Sequence, residues 1–425
     1  MESAIVRSPV TVALRSKLSL LADAEYRTFW LAANAWVLAS RALAVVVGYQ
    51  LYQITKNPLV IGWLGLVEAI PAISLVLYGG HFADRHDRRS TIIWFRGALI
   101  ILAALLVAVS STSSDDAVPL LLLISFLAGC ARAFADPAQA AFEGQIVPRN
   151  AAVQSGVLLG GGYQAMSVVG PAAGGVAYEF LGAEGTYTAI AIIFAYSTFA
   201  MFQVGRRPIP AFRQEESAFH SIREGIRYVL SNQVLIGSMA LDLFAVLFGG
   251  AVALLPIFAT DILNVGPTGF GLLSAAPAVG SLLTMLVAMR CPPKRYAGRV
   301  FHLAVAGFGC SMILFGLSEN FLLSLILLMV SGACDGVSVV IRRAITRLMA
   351  PDAMRGRVAA VSTVFIGSSN EIGAFESGVA ASILGTARSV WIGGVLTLVV
   401  VAITALKAPK LLHLDLEKAA AERDL

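Results

Sequence analysis

Long apolar runs broken by short polar interruptions dominate the chain. Twelve such runs stand out: approximately Phe29–Tyr52, Leu59–Ala83, Thr91–Ser110, Val118–Ala141, Gln154–Leu181 and Thr186–Val204, then Gln233–Thr260, Thr268–Met289, Val300–Leu317, Phe321–Ile345, Val358–Leu384 and Ser389–Leu406. A helix that crosses a bilayer needs about 20 mainly apolar residues, so each run predicts one span. Most connections are short. Gly205–Asn232 is the exception: it holds Arg206, Arg207, Pro208, Pro210, Glu215 and Glu216, then an expected amphipathic surface helix over Ser221–Leu230. The expected fold class is an all-α membrane protein, twelve transmembrane helices in two pseudo-symmetric halves. Its parts are a cytoplasmic N-terminal segment (1–28), a six-helix half (29–204), a cytoplasmic central loop (205–232), a second six-helix half (233–406) and a cytoplasmic tail (407–425).

A repeat links the halves. Gly129, Pro148, Gly170 and Gly175 recur 203 residues later as Gly332, Pro351, Gly373 and Gly378, while Gly65 and Pro71 recur 206 later as Gly271 and Pro277. Parallel six-helix repeats of this kind point to a transporter that rocks about a central site.

Composition and charge narrow the class. Of 425 residues, 57% are hydrophobic and only 13% charged, about half the charge of an average soluble chain. A soluble enzyme, a disordered protein and a disulfide scaffold are thereby excluded. The net charge of +5 is a matter of sidedness, not of nucleic-acid binding. Alternate connections and both termini carry the Lys and Arg: Arg7, Arg15, Lys17 and Arg27; Arg85, Arg88, Arg89 and Arg96; Arg149; Arg206 to Arg227; Arg290 to Arg299; Arg342, Arg343, Arg347, Arg355 and Arg357; Lys407 to Arg423. The other connections hold only Lys56 and Arg388. Basic residues stay on the cytoplasmic side, so both termini are expected inside. Cys130, Cys291, Cys310 and Cys334 show no ligand spacing and read as small core residues. No metal and no cofactor is expected, and no GxxxxGK[ST] loop occurs to drive transport with a nucleotide. The first 27 residues are expected to form an interfacial segment rather than a signal peptide.

The run Gly79-Gly80-His81-Phe82-Ala83-Asp84-Arg85-His86-Asp87-Arg88-Arg89 closes the second apolar segment. It resembles the loop signature of the major facilitator superfamily, with Gly80, Asp84, Arg85, Arg88 and Arg89 as its conformational motif and Asp87 where glycine is usual. Physically, Gly80 allows close helix approach, and Asp84 can accept hydrogen bonds from a neighbouring helix N-terminus. Ile70-Pro71-Ala72, Asp136-Pro137-Ala138, Leu254-Leu255-Pro256, Arg355-Gly356-Arg357-Val358 and Ser369-Asn370-Glu371-Ile372-Gly373 are similar to the bacterial branch of secretion-effector and multidrug permeases, which includes an enterobactin exporter. So is Gly170-Pro171-Ala172-Ala173-Gly174-Gly175, in which Gly170, Pro171, Gly174 and Gly175 serve helix packing and Met166 replaces one upstream glycine. The resemblance covers nearly the whole chain. It implies helices 1, 4, 7 and 10 around a central cavity, and a small-molecule substrate carried across a bacterial inner membrane, with protons as the coupling ion and a monomer as the working unit.

Charges within the apolar runs are the candidate site. A charge at the bilayer centre costs ~2.5–3.5 kcal/mol, so it needs a partner, water or a purpose. The candidates are Arg41, Glu68, Arg132, Asp136, Asp242, Asp335 and Glu371, with Glu376 read as a structural contact between helices 2 and 11. Arg132 and Asp136 share a helical face and can pair; Arg41 and Glu68 can pair across adjacent helices. Asp242 and Asp335 have no basic neighbour at their own depth on the same helix, so each is either a proton carrier or a carboxyl capping a neighbour. His81, His86, His220, His302 and His413 lie in loops, a tail or a helix end, so no membrane-bound catalytic constellation is expected. The leading expectation is a proton-coupled exporter of a small amphipathic molecule, a siderophore or a drug. Nutrient uptake on the same fold and a non-transporting sensor or scaffold are the alternatives.

Overall fold

The computed structural model describes residues 19–110, 117–208, 218–249, 251–293, 295–351 and 354–423. Arg7, Arg15, Lys17, Ser111–Asp116, Pro210, Glu215, Glu216 and Lys294 fall outside these. Among the described residues every regular element is a helix. Span 1 is Ala24–Thr55; span 2 is Pro58–Ser74 continued by Val76–Arg85 after a 46° bend; span 3 is Arg88–Ser110 and span 4 Ala117–Ile146. Spans 5 and 6 are two helices within Ala152–Gln203 that turn at Gly182, whose φ of 67° and ψ of −172° are non-helical and open to glycine. Span 7 starts as Gln233–Phe248; spans 8 to 12 are Gly266–Arg290, Ala297–Gly316, Phe321–Met349, Arg355–Leu384 and Thr386–Lys407. An amphipathic helix, Ala218–Ser231, lies between the halves in sequence and packs on spans 7 and 11.

Short polar side chains start several spans. Asp23 accepts from the backbone N–H groups of Glu25 and Tyr26, Asn57 from Leu59, Asn232 from Val234 and Leu235, and Asn320 from Leu323. Each satisfies donors that a helix start leaves free, at a worth of about 1 kcal/mol. Proline bends the spans. Pro71 sits four residues before the bend in span 2, where it removes a ladder bond. Span 7 is interrupted too: after Phe248 come a 3₁₀ turn (Ala251–Leu254), one turn containing Pro256 and a π turn (Phe258–Ile262). The continuous run expected over Gln233–Thr260 is therefore a regular helix only to Phe248, followed by irregular turns.

The repeat expected from sequence is visible as packing. Within each half a glycine of span 4 or 10 meets the proline of span 2 or 8: a Cβ on Gly129 would lie 2.6 Å from Pro71, and one on Gly332 1.9 Å from the Pro277 carbonyl. Between halves, Gly65 abuts Ala374 just as Gly271 abuts Pro171. The halves thus meet along two seams, span 2 with 11 and span 5 with 8. Large apolar side chains face outward: Trp94, Ile101, Leu303, Ile383 and Leu406 are exposed, as a lipid-facing belt requires. The cysteines depart from the expected core role: all four are free, Cys291 and Cys310 are exposed, and Cys130 and Cys334 are only half-buried.

Candidate functional site

At the end of the bundle away from the chain termini, the halves are locked together. Tyr52 of span 1 donates to Asp261 in the π turn of span 7, and Gln53 to Thr260 at 3.4 Å. Tyr49 stacks on Phe270 at 5.5 Å, and the Thr268 backbone N–H donates to Glu179 at 3.2 Å. Glycines make this closure possible: a Cβ on Gly175 would stand 2.4 Å from the Pro267 carbonyl, and one on Gly378 2.5 Å from the Cα of Gly62. Gly170 and Gly174 meet span 1 at Arg41 and Ala42, while Pro171 meets Gly271. In the Gly160-Gly161-Gly162 cluster only Gly162 makes a close contact, on Asn34.

The conformational motif lies at the opposite end. Asp84, its side chain 62% exposed, pairs with Arg88 at 3.0 Å one turn on. Among the described residues Asp84 holds no neighbouring helix start; the helix-end contact comes from cations instead. Arg89 donates to the carbonyls of Met201 and Phe202 at the last turn of span 6, and Arg88 to Ala141 in span 4, the sign that a helix C-terminus favours. The glycine expectation shifts by one residue. Gly80 has open space, whereas a Cβ on Gly79 would sit 2.1 Å from the Ala133 carbonyl of span 4. The motif glycine that permits close approach is Gly79.

In the N-terminal half the mid-membrane charges form a network, though not with the expected partners. Arg132 pairs with Glu68 of span 2 at 3.2 Å, rather than with Asp136 on its own helix. Asp136 accepts from Trp36 Nε1 at 3.3 Å. Arg41 donates to the Tyr163 hydroxyl and lies over its ring at 5.4 Å, so it does not pair with Glu68. The sequence placed Arg96 among loop charges, yet it lies two turns inside span 3, 1% exposed, stacked on Trp36 at 4.6 Å and donating to Ser197 and Gln139. Its depth within the third apolar run was the available clue. Glu371 of span 11 lies within electrostatic reach of Glu68, Arg132 and Arg41 across the seam.

The C-terminal half differs. Asp242, read as unpaired, forms a buried ion pair with Arg342 of span 10, and Ser338 donates to it at 3.4 Å. The partner was overlooked because Arg342 was counted with the connection after span 10; helix 10 runs seven residues beyond it, to Met349. Asp335 borders a small cavity with Ala245, Val246, Val305, Phe308 and Cys334, among spans 7, 9 and 10. Asp242 and Ser338 line the same cavity, so the acids of spans 7 and 10 share one space within the C-terminal half. Glu376 is half-buried further along span 11.

Among the described residues, twelve spans in two repeated halves, with two glycine-lined seams, a closed end and charges at mid-depth, define a secondary transporter of major facilitator architecture. Solved structures with this fold include a variant of the nucleoside transporter NupG (TM-score 0.72, 12% identity, covering 90% of this chain and 99% of that one), a D-xylose-proton symporter (0.70, 13%, 90% and 98%) and a bacterial homologue of the iron transporter ferroportin (0.68, 16%, 91% and 98%). The family model for transmembrane secretion effectors matches residues 15–423, so the chain belongs to that family. It is a multi-pass membrane transporter of a small molecule, not an enzyme. Its relatives include the enterobactin exporters EntS of Shigella boydii serotype 4 (strain Sb227) and Escherichia coli O81 (strain ED1a), each 24% identical over 369 residues, spanning 84% of this chain and 85% of the relative.

Proposed function

We propose that the protein exports an anionic, siderophore-like molecule across a bacterial inner membrane in exchange for protons, as a monomer with both termini cytoplasmic. The basic side of the bundle would then be inside, and the locked end, around Tyr52, Gly175 and Gly378, would be the outer gate. The state described above is accordingly inward-facing. The two six-helix units (29–204 and 233–406) act as the rocking bodies, and the 205–232 connection tethers them. Enterobactin, the substrate named for the relatives, is the first compound to try.

The observation that carries the choice of an anion is Arg41. It is an exposed guanidinium at mid-span that, among the described residues, hydrogen-bonds to the neutral Tyr163 hydroxyl and forms no ion pair, and it lies within electrostatic reach of both Asp136 of its own half and Glu371 of the other. A cation kept open between rocking halves suits an anionic substrate, and its guanidinium offers a planar fork of donors to a carboxylate or catecholate. The test is enterobactin flux in proteoliposomes with and without an imposed pH gradient. Acceleration by the gradient in wild type, and a rise in KM of tenfold or more in Arg41→Gln, are expected. Flux indifferent to the gradient removes proton exchange; an unchanged KM removes the anion site. Cysteine labelling fixes orientation: Ser113, outside the described residues, from the external face, and His86 from the cytoplasm.

A further inference from the structure

Beside the last turns of span 10, at the end that carries the chain termini, lies an apolar cavity of about 380 Å³. Val340, Ala344 and Leu348 form one wall, stacked four residues apart on one face of the helix. Pro292 and Pro293, after span 8, form another, and Leu416 and Glu417 of the tail helix Leu416–Arg423 form the roof. Val340 to Leu348 is a depth of about 12 Å at 1.5 Å per residue. The roof is held by the polypeptide itself. Leu411, Leu414 and Leu416 are buried, the Gly298 N–H donates to the Leu414 carbonyl at 3.1 Å, and Gly298 leaves no room for a Cβ against the Leu411 carbonyl. The cavity therefore belongs to the fold of the C-terminal half, and its size is that of a small-ligand pocket.

The interior is apolar and the rim is basic. Arg290 ends span 8 two residues before Pro292, and Arg295, two residues after Pro293, pairs with Glu417 at 3.2 Å. On span 10, Arg343 and Arg347 adjoin the wall residues Ala344 and Leu348, and all four arginines are exposed. The acids beside them are Glu417, held by Arg295, and Asp415, which caps the tail helix by accepting from the N–H groups of Glu417 and Lys418. The rim keeps a positive excess. Span 8 continues it into the bilayer: Leu283, Leu286, Val287 and Arg290 share one face by their spacing of three and four, and the three apolar ones are exposed. An arginine at the head of an apolar stripe carries its guanidinium to headgroup level. A dry slot with a cationic mouth, reached along such a stripe, fits a ligand that joins a long apolar chain to an anionic head. A soluble anion has nothing to fill the slot, and an uncharged chain leaves the arginines unused.

We propose that this cavity binds an anionic phospholipid, with an acyl chain against Val340, Ala344 and Leu348 and the phosphate on Arg290 and Arg295. Arg295 engages Glu417 through Nε, so its terminal nitrogens remain as donors to a phosphate, which a guanidinium fork matches in shape and charge. Basic pockets between spans are where membrane proteins hold acidic headgroups. The bound lipid joins span 10, the connection after span 8 and the tail, and so stabilises the terminus-bearing end of the C-terminal half. The site depends on neither substrate nor coupling ion. The orientation proposed above decides only which leaflet supplies the lipid.

Native mass spectrometry of the purified full chain in detergent tests this, with phosphatidylglycerol or phosphatidylcholine added at equal concentration. Wild type should retain phosphatidylglycerol at least fivefold more than phosphatidylcholine. Arg290→Gln with Arg295→Gln should bring the two lipids to parity. Arg27→Gln with Arg206→Gln removes as much exposed charge from the N-terminal half at the same end and should leave the preference intact. Filling the slot by Ala344→Phe or Val340→Phe should abolish the preference as well, and the exposed arginine pair carries the test if either filled variant folds poorly. Phosphatidylglycerol should also raise the melting temperature of wild type and not that of the filled variants. Equal retention of the two lipids by wild type overturns the proposal. So does an unchanged preference in the Arg290 and Arg295 double variant or in a folded filled variant, or an equal loss in the Arg27 and Arg206 control, which would assign the binding to surface charge in general.

Discussion

The two halves share a backbone plan and differ in what they do with charge. Positions 203 residues apart in spans 4 and 10 make this explicit: Arg132 corresponds to Asp335, and Gln139 to Arg342. In the C-terminal half, Asp242 and Arg342 neutralise each other, 5% and 7% exposed, and Asp335 faces a cavity inside the same half. In the N-terminal half, Arg132 is 30% exposed, Glu68 24%, and the network continues across the seam to Glu371. One half keeps its charge balance to itself, as a rigid body would. The other leaves its balance to be completed by its partner, so its energy changes when the halves move. Symmetry of fold thus coexists with a division of labour.

The contrast is broken most severely at Asp242. Asp242→Ala leaves Arg342 buried without a counter-ion, and loss of one partner of a buried pair costs about 3–5 kcal/mol. The expected result is a large drop in folded yield and melting temperature in detergent. The double change Asp242→Leu with Arg342→Met should restore most of that loss, because an apolar pair of similar volume needs no solvation. A stable Asp242→Ala would mean that the C-terminal pair is not structural.

Next comes the closed end. A side chain at Gly175 meets the backbone of Pro267 and Gly271, not a flexible side chain that can give way. With spin labels on Glu184→Cys and Ser382→Cys, exposed at the closed end of opposite halves, Gly175→Ala should shift the inter-label distance toward an open mouth, whereas Gly160→Ala, with open space around it, should leave it unchanged. Equal effects from the two would argue that the glycine seam does not hold the gate.

A smaller effect separates the motif glycines. Gly79→Ala should cost about 1–3 kcal/mol through overpacking against span 4, while Gly80→Ala should stay within about 0.5 kcal/mol; thermal melting of the two purified variants decides. Smallest in stability is Asp84→Asn. Its exposed pair with Arg88 is worth about 0–1 kcal/mol, so the melting temperature should hardly move. Transport should still fall, because Asp84 is expected to act in the opposite state of the cycle; wild-type flux would remove it from the mechanism.

The sequence announced the spans because lipid admits so few solutions. A spanning segment must satisfy its backbone internally and show apolar side chains outward, and both demands are written in run length. The turn at Gly182 fell within the predicted break between Leu181 and Thr186 for the same reason: only glycine takes that backbone geometry easily. Run length did not show the break in span 7, because Ala251 to Ile262 is mostly apolar; its signals are the local breakers Gly249, Gly250 and Pro256.

By itself the sequence determined the helical membrane class, the two-fold repeat and which residues would carry charge into the bilayer, since each follows from local composition and spacing. Only the tertiary structure decided who pairs with whom. Helical spacing offered Arg132 to Asp136, and the fold gave it to Glu68; depth on one helix left Asp242 alone, and span 10 supplied Arg342. A charge in low dielectric is governed by the nearest opposite charge in space, and in a bundle of twelve helices that neighbour comes from another helix, set by rotation and tilt that no single run of residues encodes.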